Sequence, residues 1–376
     1  MTRPLSGVKV LDFSTLLPGP LCTLLLAEAG ADVIKVERPD RGDEMRSYEP
    51  KLGQDSVNFV LLNRGKRSIA IDLKSPSGLA GLEPLIRDAD VLVEQFRPGV
   101  MERLGLGHAA LSERNPRLIY CSVTGYGQHG PLAQEAAHDL NYAASTGMLS
   151  LSCGNDGAPG LPPALIADIA GGAYPAMINI LLALRQREAT GRGCHLDISM
   201  ADNLFTFQYW GLGDGWRGSW PTPGASLVTG GSPRYQVYRA ADGQYLAAAP
   251  LEDKFWGNFV RLIGLDETEL AALDATEVRQ HVAEAILRQP ADVWIERFRG
   301  HDVCTAKVVS LEEASADPHF RARGLFSRRV RSASGEELPA LPVPVADAFR
   351  SAGSSSAAPA LGASTGDMPA WDTVRG

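Results

Sequence analysis

Two short stretches of the sequence carry residue types that are suited to acid–base chemistry. In AAHDLNYAAS, residues 136–145, His138 and Asp139 are adjacent and most of their neighbours are apolar. In LIADIAGGAYP, residues 165–175, a single acidic residue, Asp168, precedes two glycines. A histidine titrates near neutral pH and is the usual general base. A carboxylate among apolar residues is paired, caps a helix or has a shifted pKa, because an isolated buried charge is costly.

Both stretches also have a purely structural interpretation. Asp139 could cap a helix in LNYAASTGMLS, and His138 would then be a polar neighbour of that cap. Such a helix start would place backbone N–H donors beside His138, where they could hold an anion or an enolate oxygen. Asp168 directly precedes an apolar helical pattern and could cap it in the same way. The pattern alone favours capping at both positions and leaves catalysis open, since a carboxylate at a helix start can still be catalytic.

Charged residues recur where predicted strands end. Arg38, Arg97 and Arg103 lie at strand ends or just beyond them, and NRGKRS, residues 63–68, is a further basic cluster. Any one of these residues would ordinarily be a solvated surface charge. Their recurrence at one edge of a predicted sheet favours an anionic, phosphate-bearing ligand. Glu252 follows a predicted hairpin and, taken alone, is typical of a solvated loop carboxylate.

Alternating β-rich and helical patterns predict the elements that hold these residues. Segments such as VKVLDFS, DVIKVE, DVLVEQF and LIYCSVT are β-rich, and helical patterns separate them. This alternation is typical of an α/β fold, a parallel sheet with helices on both faces. Ligands bind beyond the carboxyl ends of such strands, where DFSTLLPGP, VERPDRGD, EQFRPG and TGYGQHGP all lie. No GxGxxG motif opens a helix, so a dinucleotide site is not indicated.

The patterns predict two domains. Residues 1–200 plus 330–376 would form a large Rossmann-like domain with a parallel sheet. Residues 201–231, rich in Gly, Trp and Pro, would form a linker. Residues 232–329 would form a smaller α+β domain that opens with a hairpin, YQVYRA and QYLAAAP around ADG. The apolar stripe of residues 171–191 predicts a buried helix.

Composition narrows the function classes. The 376-residue chain carries 36 basic and 44 acidic residues, a formal net charge of −8, which disfavours a general nucleic-acid binder. We expect no membrane span, because no apolar run reaches the length of one, and no signal peptide, because the N-terminus leads straight into a strand. Five scattered cysteines without a CxxC pair indicate neither a disulfide framework nor a zinc site. We therefore expect a cytoplasmic location and no bound metal.

Five segments together resemble the family III coenzyme A transferases, the CaiB/BaiF type. The resemblance covers nearly the whole chain and rests on residues 7–43, 63–78, 89–107, 117–131 and 230–256. Within the family the chain is most similar to the α-methylacyl-CoA racemase branch. That branch has a His-Asp-x-Asn-Tyr motif, which matches His138 to Tyr142, an Ala-Asp with following glycines, which matches Asp168, and a glutamate after the hairpin, which matches Glu252.

The resemblance implies that the enzyme inverts the α-carbon of an acyl-CoA thioester with two bases. His138, oriented by Glu252, would act on one face of the carbon and Asp168 on the other, with base and acid roles exchanged in the reverse reaction. The backbone N–H of Asp139 would hold the enolate oxygen. Tyr142 would hydrogen-bond within the site. Asp168 must begin protonated in one direction, so burial must raise its pKa.

The resemblance also assigns the residues that hold coenzyme A, the handle of the acyl-CoA substrate. Phosphate groups would contact Arg38, Lys74, Arg97 and Arg103, adenine or pantetheine would contact Gln95 and Phe96, and Ala137 would lie beside them where the racemases usually have glycine. No cofactor beyond the CoA moiety of the substrate is implied. Members of the family form interlocked homodimers, and the site would lie where the large and small domains meet.

Two other functions stay open. Family transferases use one aspartate, at the position of Asp168, to attack a thioester and carry the acyl group as a mixed anhydride; they usually have another residue, often tyrosine, at the position of His138. Formyl-CoA transferases carry a glutamine near the first loop, where this chain has Leu17. A non-catalytic acyl-CoA binding protein is the third possibility. His138 and Glu252 together favour the racemase, and the acyl group is left open.

Overall fold

The computed structural model describes residues 3–152, 154, 157–353, 355–366 and 371. The chain divides into two compact units. The first contains Met1–Thr146, Ala164–Phe207 and Pro318–Gly376, and the second contains Gly147–Pro163 and Gln208–Asp317. The predicted boundaries differ from these: residues 147–163 group with the second unit, residues 318–329 with the first, and residues 201–231 are divided between the two. Residues 1–2, 153, 155–156, 354, 367–370 and 372–376 of the predicted large domain lie outside the described residues.

The described residues contain strands and helices in alternation along the first half of the chain. The strands are β1 Lys9–Asp12, β2 Asp32–Glu37, β3 Lys51–Leu52, β4 Asp55–Ser56, β5 Arg67–Ala70, β6 Val91–Glu94, β7 Ile119–Thr124, β8 His195–Ser199, β9 Gln236–Arg239, β10 Tyr245–Ala248, β11 Thr305–Lys307, β12 Arg329–Arg331, β13 Glu337–Pro339 and β14 Ser355–Ala357. The α-helices are α1 Pro18–Glu28, α2 Val57–Asn63, α3 Pro76–Asp88, α4 Val100–Arg103, α5 His108–Arg114, α6 Asp139–Ser145, α7 Met148–Leu151, α8 Tyr174–Thr190, α9 Met200–Leu204, α10 Tyr209–Trp216, α11 Asp253–Leu262, α12 Glu267–Leu270, α13 Ala275–Ile286, α14 Ala291–Phe298, α15 Leu311–Ala316 and α16 Pro318–Ala322. Ala167–Ala173 and Leu227–Gly231 are π-helical, and Glu44–Ser47, Phe205–Gln208 and Asp347–Phe349 are 3₁₀ turns.

A six-stranded sheet forms the centre of the first unit, in the order β5-β2-β1-β6-β7-β8. Every pairing in this sheet is parallel, so the predicted α/β class is confirmed. Every residue of β6 and β7 is buried, as is usual for parallel strands that are covered on both faces. The chain runs outward from β1 to β2 and then returns to place β6 on the other side of β1. A ligand cleft is expected at this change of direction, beyond the carboxyl ends of the strands.

Helix α8 is less buried than its apolar sequence predicts. Only Ala176, Ile180, Ala183 and Arg187 of this helix are buried, whereas Ile178 is 56% and Leu182 is 63% exposed. The prediction of a buried helix is therefore wrong for one side of α8. Apolar residues occur on more than one side of this helix, so the sequence does not indicate which side packs against the rest of the protein. By length and composition alone the helical stretch Ala167–Thr190 could span a membrane. Core helices of soluble proteins pass the same test, so no clear span follows.

The second unit is a smaller α+β assembly. Strands β9 and β10 pair antiparallel, and β11 joins them on the other side of β10, which confirms the predicted hairpin. Helices α11, α13 and α14 contribute Trp256, Phe259, Val282 and Trp294 to one buried cluster with Leu246 of β10. This core holds the loop that follows β10, in which Glu252 lies.

Candidate active site

A cavity of about 280 Å³ lies at the carboxyl edge of the parallel sheet, within the first unit. Leu16 enters it from the loop after β1 and Pro18 from the start of α1. Gln95 to Pro98 enter from the loop after β6, and Gly125 and Tyr126 from the loop after β7. These loops flank the place where the strand order changes direction. Three of the four loops singled out from the sequence thus meet at one cavity, and the fourth, after β2, supplies no lining residue.

The loop after β1 is held by buried charges. Leu16 has a φ of 62°, a left-handed conformation that is uncommon for a residue with a side chain. Its N–H donates to Asp43 Oδ1 at 3.0 Å, and Asp43 forms an ion pair with Lys35 at 2.9 Å. Lys35 also donates to the Ser14 carbonyl at 2.7 Å. The pair is fully buried, and each member also bonds to the backbone of this loop. Pairing and hydrogen bonding are the conditions under which buried charges are tolerated, and together they fix this wall of the cavity.

The loop after β6 is anchored at two points. Gln95 Oε1 accepts the Gly19 N–H at 3.0 Å, and a Cβ on Gly19 would come within 2.1 Å of the Ser14 Cβ, so only glycine fits this approach. The buried carboxylate of Glu94 accepts the Phe96 N–H at 2.8 Å. Burial raises the pKa of Glu94 to about 7, and hydrogen bonds from Ser122 and from the Phe96 backbone oppose that rise. Gln95 and Phe96 are therefore set on the cavity wall by short contacts.

His138 lines the cavity immediately before helix α6. It is extended, with φ −127° and ψ 177°, and its N–H donates to Asn141 Oδ1 at 2.9 Å. The residue at the cap position is thus His138, and the prediction that Asp139 caps the helix is wrong, because Asp139 already has helical geometry. The Tyr142 hydroxyl donates to the Ala137 carbonyl at 2.8 Å, so Tyr142 fixes the backbone on which the imidazole is carried.

Asp168 lies inside the π-helical segment Ala167–Ala173, not at a helix cap, so the capping interpretation is wrong here too. π-Helical turns are rare and frequently occur at functional sites. The segment packs closely on α9: a Cβ on Gly171 would come within 2.5 Å of the Met200 carbonyl oxygen. The glycines after Asp168 thus allow this packing, which brings its carboxyl into the cavity that Met200 also lines.

A hydrogen bond links the two sequence motifs directly. The Asp168 N–H donates to Asp139 Oδ1 at 2.9 Å, and Asp139 is only 6% exposed. Burial raises the pKa of Asp168 to about 7, and the nearby charge of Asp139 adds to that rise. Burial also raises the pKa of Tyr142 to about 12, and the nearby charge of Asp168 is the second largest cause of that rise. The carboxylate of Asp139 therefore contributes to the raised pKa of Asp168.

The structure brings together seven of the predicted site residues and separates the others. The cavity is lined by Gln95, Phe96, Arg97, Ala137, His138, Tyr142 and Asp168. Asp139 does not line the cavity but accepts the N–H of Asp168, which does. Arg38, Lys74 and Arg103 are exposed near the same sheet edge, after β2, after β5 and at the end of α4, and none of them lines the cavity. Glu252 belongs to the second unit, at the residue before α11.

Several residues of the cavity were not singled out from the sequence. Leu16, Pro18, Tyr126, Glu135 and Met200 all line it. Leu16, Pro18 and Tyr126 sit in segments that the strand-end rule had identified, so position was the available signal for them. Met200 carries no such signal, since a methionine at the start of a helix is most often a core residue.

A larger cavity, of about 450 Å³, lies at the opposite edge of the sheet, where β1, β2 and β5 begin. It is lined by arginines, but these hold the fold together. Arg64 Nε donates to Glu28 at 2.7 Å and its other nitrogens donate to backbone carbonyls. Arg64 and Arg67 of the basic cluster at residues 63–68 line this cavity, so the prediction that the cluster lies at the ligand edge of the sheet is wrong for them. None of the residues assigned to catalysis or to coenzyme A lies there. The smaller cavity is the candidate site because it contains an imidazole and a carboxyl that titrates near neutral pH.

Comparison with known protein families decides the assignment. The family model described as CoA-transferase family III matches residues 5–365. This chain belongs to the family III CoA-transferases. The resemblance stated from the sequence is thereby confirmed.

Relatives within the CoA-transferase family III include both kinds of enzyme. The chain is similar to the alpha-methylacyl-CoA racemase of Mus musculus, 35% identical over 368 residues, which cover 96% of this chain and 91% of that protein. It is also similar to the acetyl-CoA:oxalate CoA-transferase of Acetobacter aceti, 32% identical over 360 residues, covering 91% and 89%. The solved structure of a CAIB/BAIF family protein from Brucella suis superposes with a TM-score of 0.81 at 30% identity, covering 96% of this chain and 97% of that one. Membership alone therefore does not separate racemase from transferase.

Proposed function

We propose that this family III CoA-transferase inverts the α-carbon of a 2-methylacyl-CoA thioester by two-base 1,1-proton transfer. The observation that carries the proposal is that His138 and Asp168 line one cavity while the pKa of Asp168 is raised to about 7. A carboxyl with that pKa both gives and takes a proton near neutral pH, as racemisation in two directions requires. The similarity to a racemase over almost the whole chain supports the same reaction.

In the proposed step, the imidazole of His138 removes the α-proton from one face, and the C–H electron pair moves into the thioester as an enolate. The carboxylic acid of Asp168 then protonates the opposite face, which leaves Asp168 ionised and His138 protonated, ready for the reverse reaction. The Asp139 N–H is at the first position of α6, where a helix has no acceptor of its own for that donor. We propose it as the donor to the enolate oxygen, and Glu252 as the carboxylate that orients the imidazole.

Coenzyme A would be held along the same sheet edge. Gln95, Phe96 and Arg97 line the cavity, and we propose that they contact the pantetheine or the nucleotide. Arg38, Lys74 and Arg103, which lie outside the cavity at that edge, are proposed as the phosphate partners, since Arg and Lys are the usual ligands of phosphate. A homodimer working in the cytoplasm is part of the same proposal.

A transferase is the second candidate, with Asp168 as the nucleophile that attacks the thioester. The similarity to a CoA-transferase at 32% identity favours it. The chemistry of the site favours it less, because a carboxyl with a pKa of about 7 is half protonated at neutral pH, and a protonated carboxyl is a poor nucleophile. His138 would also have no part in that mechanism.

Solvent deuterium distinguishes the two reactions. One enantiomer of a 2-methylacyl-CoA is incubated with the enzyme in D₂O without any acceptor acid, and α-deuterium and configuration are followed by mass spectrometry and chiral separation. We expect wash-in of deuterium together with loss of configuration. Activity that requires an acceptor acid, with an acyl-aspartate that hydroxylamine traps, would establish the transferase instead.

A His138→Ala variant tests the two-base step itself. We expect it to lose α-proton exchange while calorimetry still shows CoA binding. The matched control is His129→Ala, an exposed histidine outside the cavity, which should exchange at the wild-type rate. Wild-type exchange by His138→Ala would rule out the two-base mechanism.

A further inference from the structure

Glu252 occupies an unusual position in the second unit. It is the residue before α11, and its carbonyl accepts the N–H groups of Phe255 at 3.0 Å and Trp256 at 2.9 Å. Its side chain is exposed and makes no capping hydrogen bond, and glutamate is not among the residues that usually cap a helix. The helix thus fixes the backbone of Glu252 without engaging its carboxylate.

The guanidinium of Arg234 contacts both neighbours of Glu252 along the chain. Its Nη1 donates to the Leu251 carbonyl at 3.0 Å and to Asp253 Oδ1 at 2.5 Å. The Asp253 side chain is 90% exposed, and an ion pair that open to water contributes little stability. The bond to the Leu251 carbonyl is the one that acts on the backbone, immediately before Glu252.

Arg234 is itself held in place. Its N–H donates to Ser232 Oγ at 3.1 Å, and the preceding carbonyl, that of Pro233, accepts the buried Tyr238 hydroxyl at 2.7 Å. The guanidinium carbon lies 5.2 Å from the ring centre of Trp256, within the range of a cation–π contact. Trp256 is only 4% exposed. Both the backbone and the guanidinium of Arg234 are thus held against the core of the second unit.

We infer that Arg234 is a positioning residue that sets the direction in which Glu252 presents its carboxylate. The backbone is fixed after Glu252 by α11 and before it by the Arg234–Leu251 bond, so the carboxylate projects from a short segment held at both ends. The inference rests on the proposed function, in which Glu252 orients the catalytic imidazole. Lysine would keep the charge but is shorter and has no planar face to stack on Trp256.

The test is a double-mutant cycle on α-proton exchange, with kcat and KM measured separately for Arg234→Ala, Glu252→Gln and the double variant. We expect Arg234→Ala to lower kcat roughly 10- to 100-fold, since misplacing a group by about 1 Å can cost about 10²-fold, with KM for the acyl-CoA unchanged. If Arg234 acts through Glu252, the double variant should match Glu252→Gln alone within about twofold. Arg234→Lys should recover part of the loss, and Arg239→Ala, an exposed arginine of β9, should behave as wild type.

Each other result overturns a distinct claim. If Glu252→Gln keeps wild-type kcat, the proposed role of Glu252 is wrong, whatever Arg234 does. If Glu252→Gln is impaired while Arg234→Ala is not, or if the two losses multiply in the double variant, Arg234 does not act through Glu252. Thermal melts accompany every variant. If Arg234→Ala fails to fold, Arg234→Lys replaces it in the cycle, and full activity of that variant with KM unchanged would contradict the stacking and reach on which the inference depends.

Discussion

Replacing Asp139 by asparagine removes a buried charge and keeps a hydrogen-bond acceptor of the same size. The Asp139 carboxylate accepts the N–H of Asp168 at 2.9 Å, and the asparagine oxygen can do the same. The pKa of Asp168 rises from its ordinary 3.8 to about 7, first through burial and second through the charge of Asp139. Burial is the larger cause, so the charge supplies less than half of the rise. We therefore expect Asp139→Asn to lower the pKa of Asp168 by about one unit, or about 1.4 kcal/mol.

The consequence is visible in the pH dependence of α-proton exchange. A fall in pKa from about 7 to about 6 raises the ionised fraction of Asp168 at pH 6 from about one-tenth to about one-half. When both groups of a two-base pair are protonated no base remains, so the acid limb of kcat/KM reports the first proton lost by the pair. In Asp139→Asn we expect that limb to move to lower pH by up to about one unit, measured as deuterium wash-in between about pH 5 and 9.

Two further variants separate charge from hydrogen bonding. Asp139→Ala removes the acceptor as well as the charge, so the limb should move as in Asp139→Asn while kcat falls further. Asp202→Asn removes an exposed charge on α9 and should leave the limb in place. An acid limb that stays put or moves to higher pH in Asp139→Asn would refute the electrostatic coupling of Asp139 to Asp168.

Other predictions concern stability. A carboxyl whose pKa is raised in the folded state costs stability as the pH rises from about 3.8 through about 7, so Asp168→Asn should be more stable than wild type at pH 8 by about 1–3 kcal/mol after partial exposure is allowed for. Urea unfolding should show this gain vanish near pH 4, and an equal gain at both pH values would contradict the pKa. Gly171→Ala should lose roughly 1–3 kcal/mol, because its Cβ would meet the Met200 carbonyl at 2.5 Å, whereas Gly213→Ala in α10, with nothing within 4 Å, should be neutral or gain up to about 1 kcal/mol. If both alanine variants lose alike, close packing is not the reason.

The strands of the central sheet could be predicted because local composition reflects their burial. β6 and β7 are buried along their whole length, and a strand covered on both faces leaves a mainly apolar run in the sequence, which Glu94, Ser122 and Thr124 interrupt here. The β9–β10 hairpin was equally predictable, since its turn residues separate two β-rich runs. Helix α8 was not, because its apolar residues surround the helix and the sequence does not state which of them meet the sheet.

The sequence predicted the separate parts of the site, but only tertiary packing decides how those parts lie relative to one another. The strand-end loops pointed to the cavity because parallel strands bring their carboxyl ends to one edge. The bond between Asp139 and Asp168 joins residues 29 apart in sequence, and it exists because α6 and the π-helical segment lie against each other. Helix α6 begins at Asp139, one residue earlier than it would if Asp139 were the cap. The Asp139 side chain therefore accepts the N–H of Asp168 and does not cap its own helix.

The sequence by itself determined the family, the parallel sheet and the identities of the two groups proposed for proton transfer, because these are carried by local motifs and by periodicity that burial imposes. Tertiary structure alone decided that His138 and Asp168 line one cavity and that the carboxyl of Asp168 titrates near neutral pH. The physical reason is that a pKa depends on desolvation and on nearby charge, and both are set by which distant segments pack together.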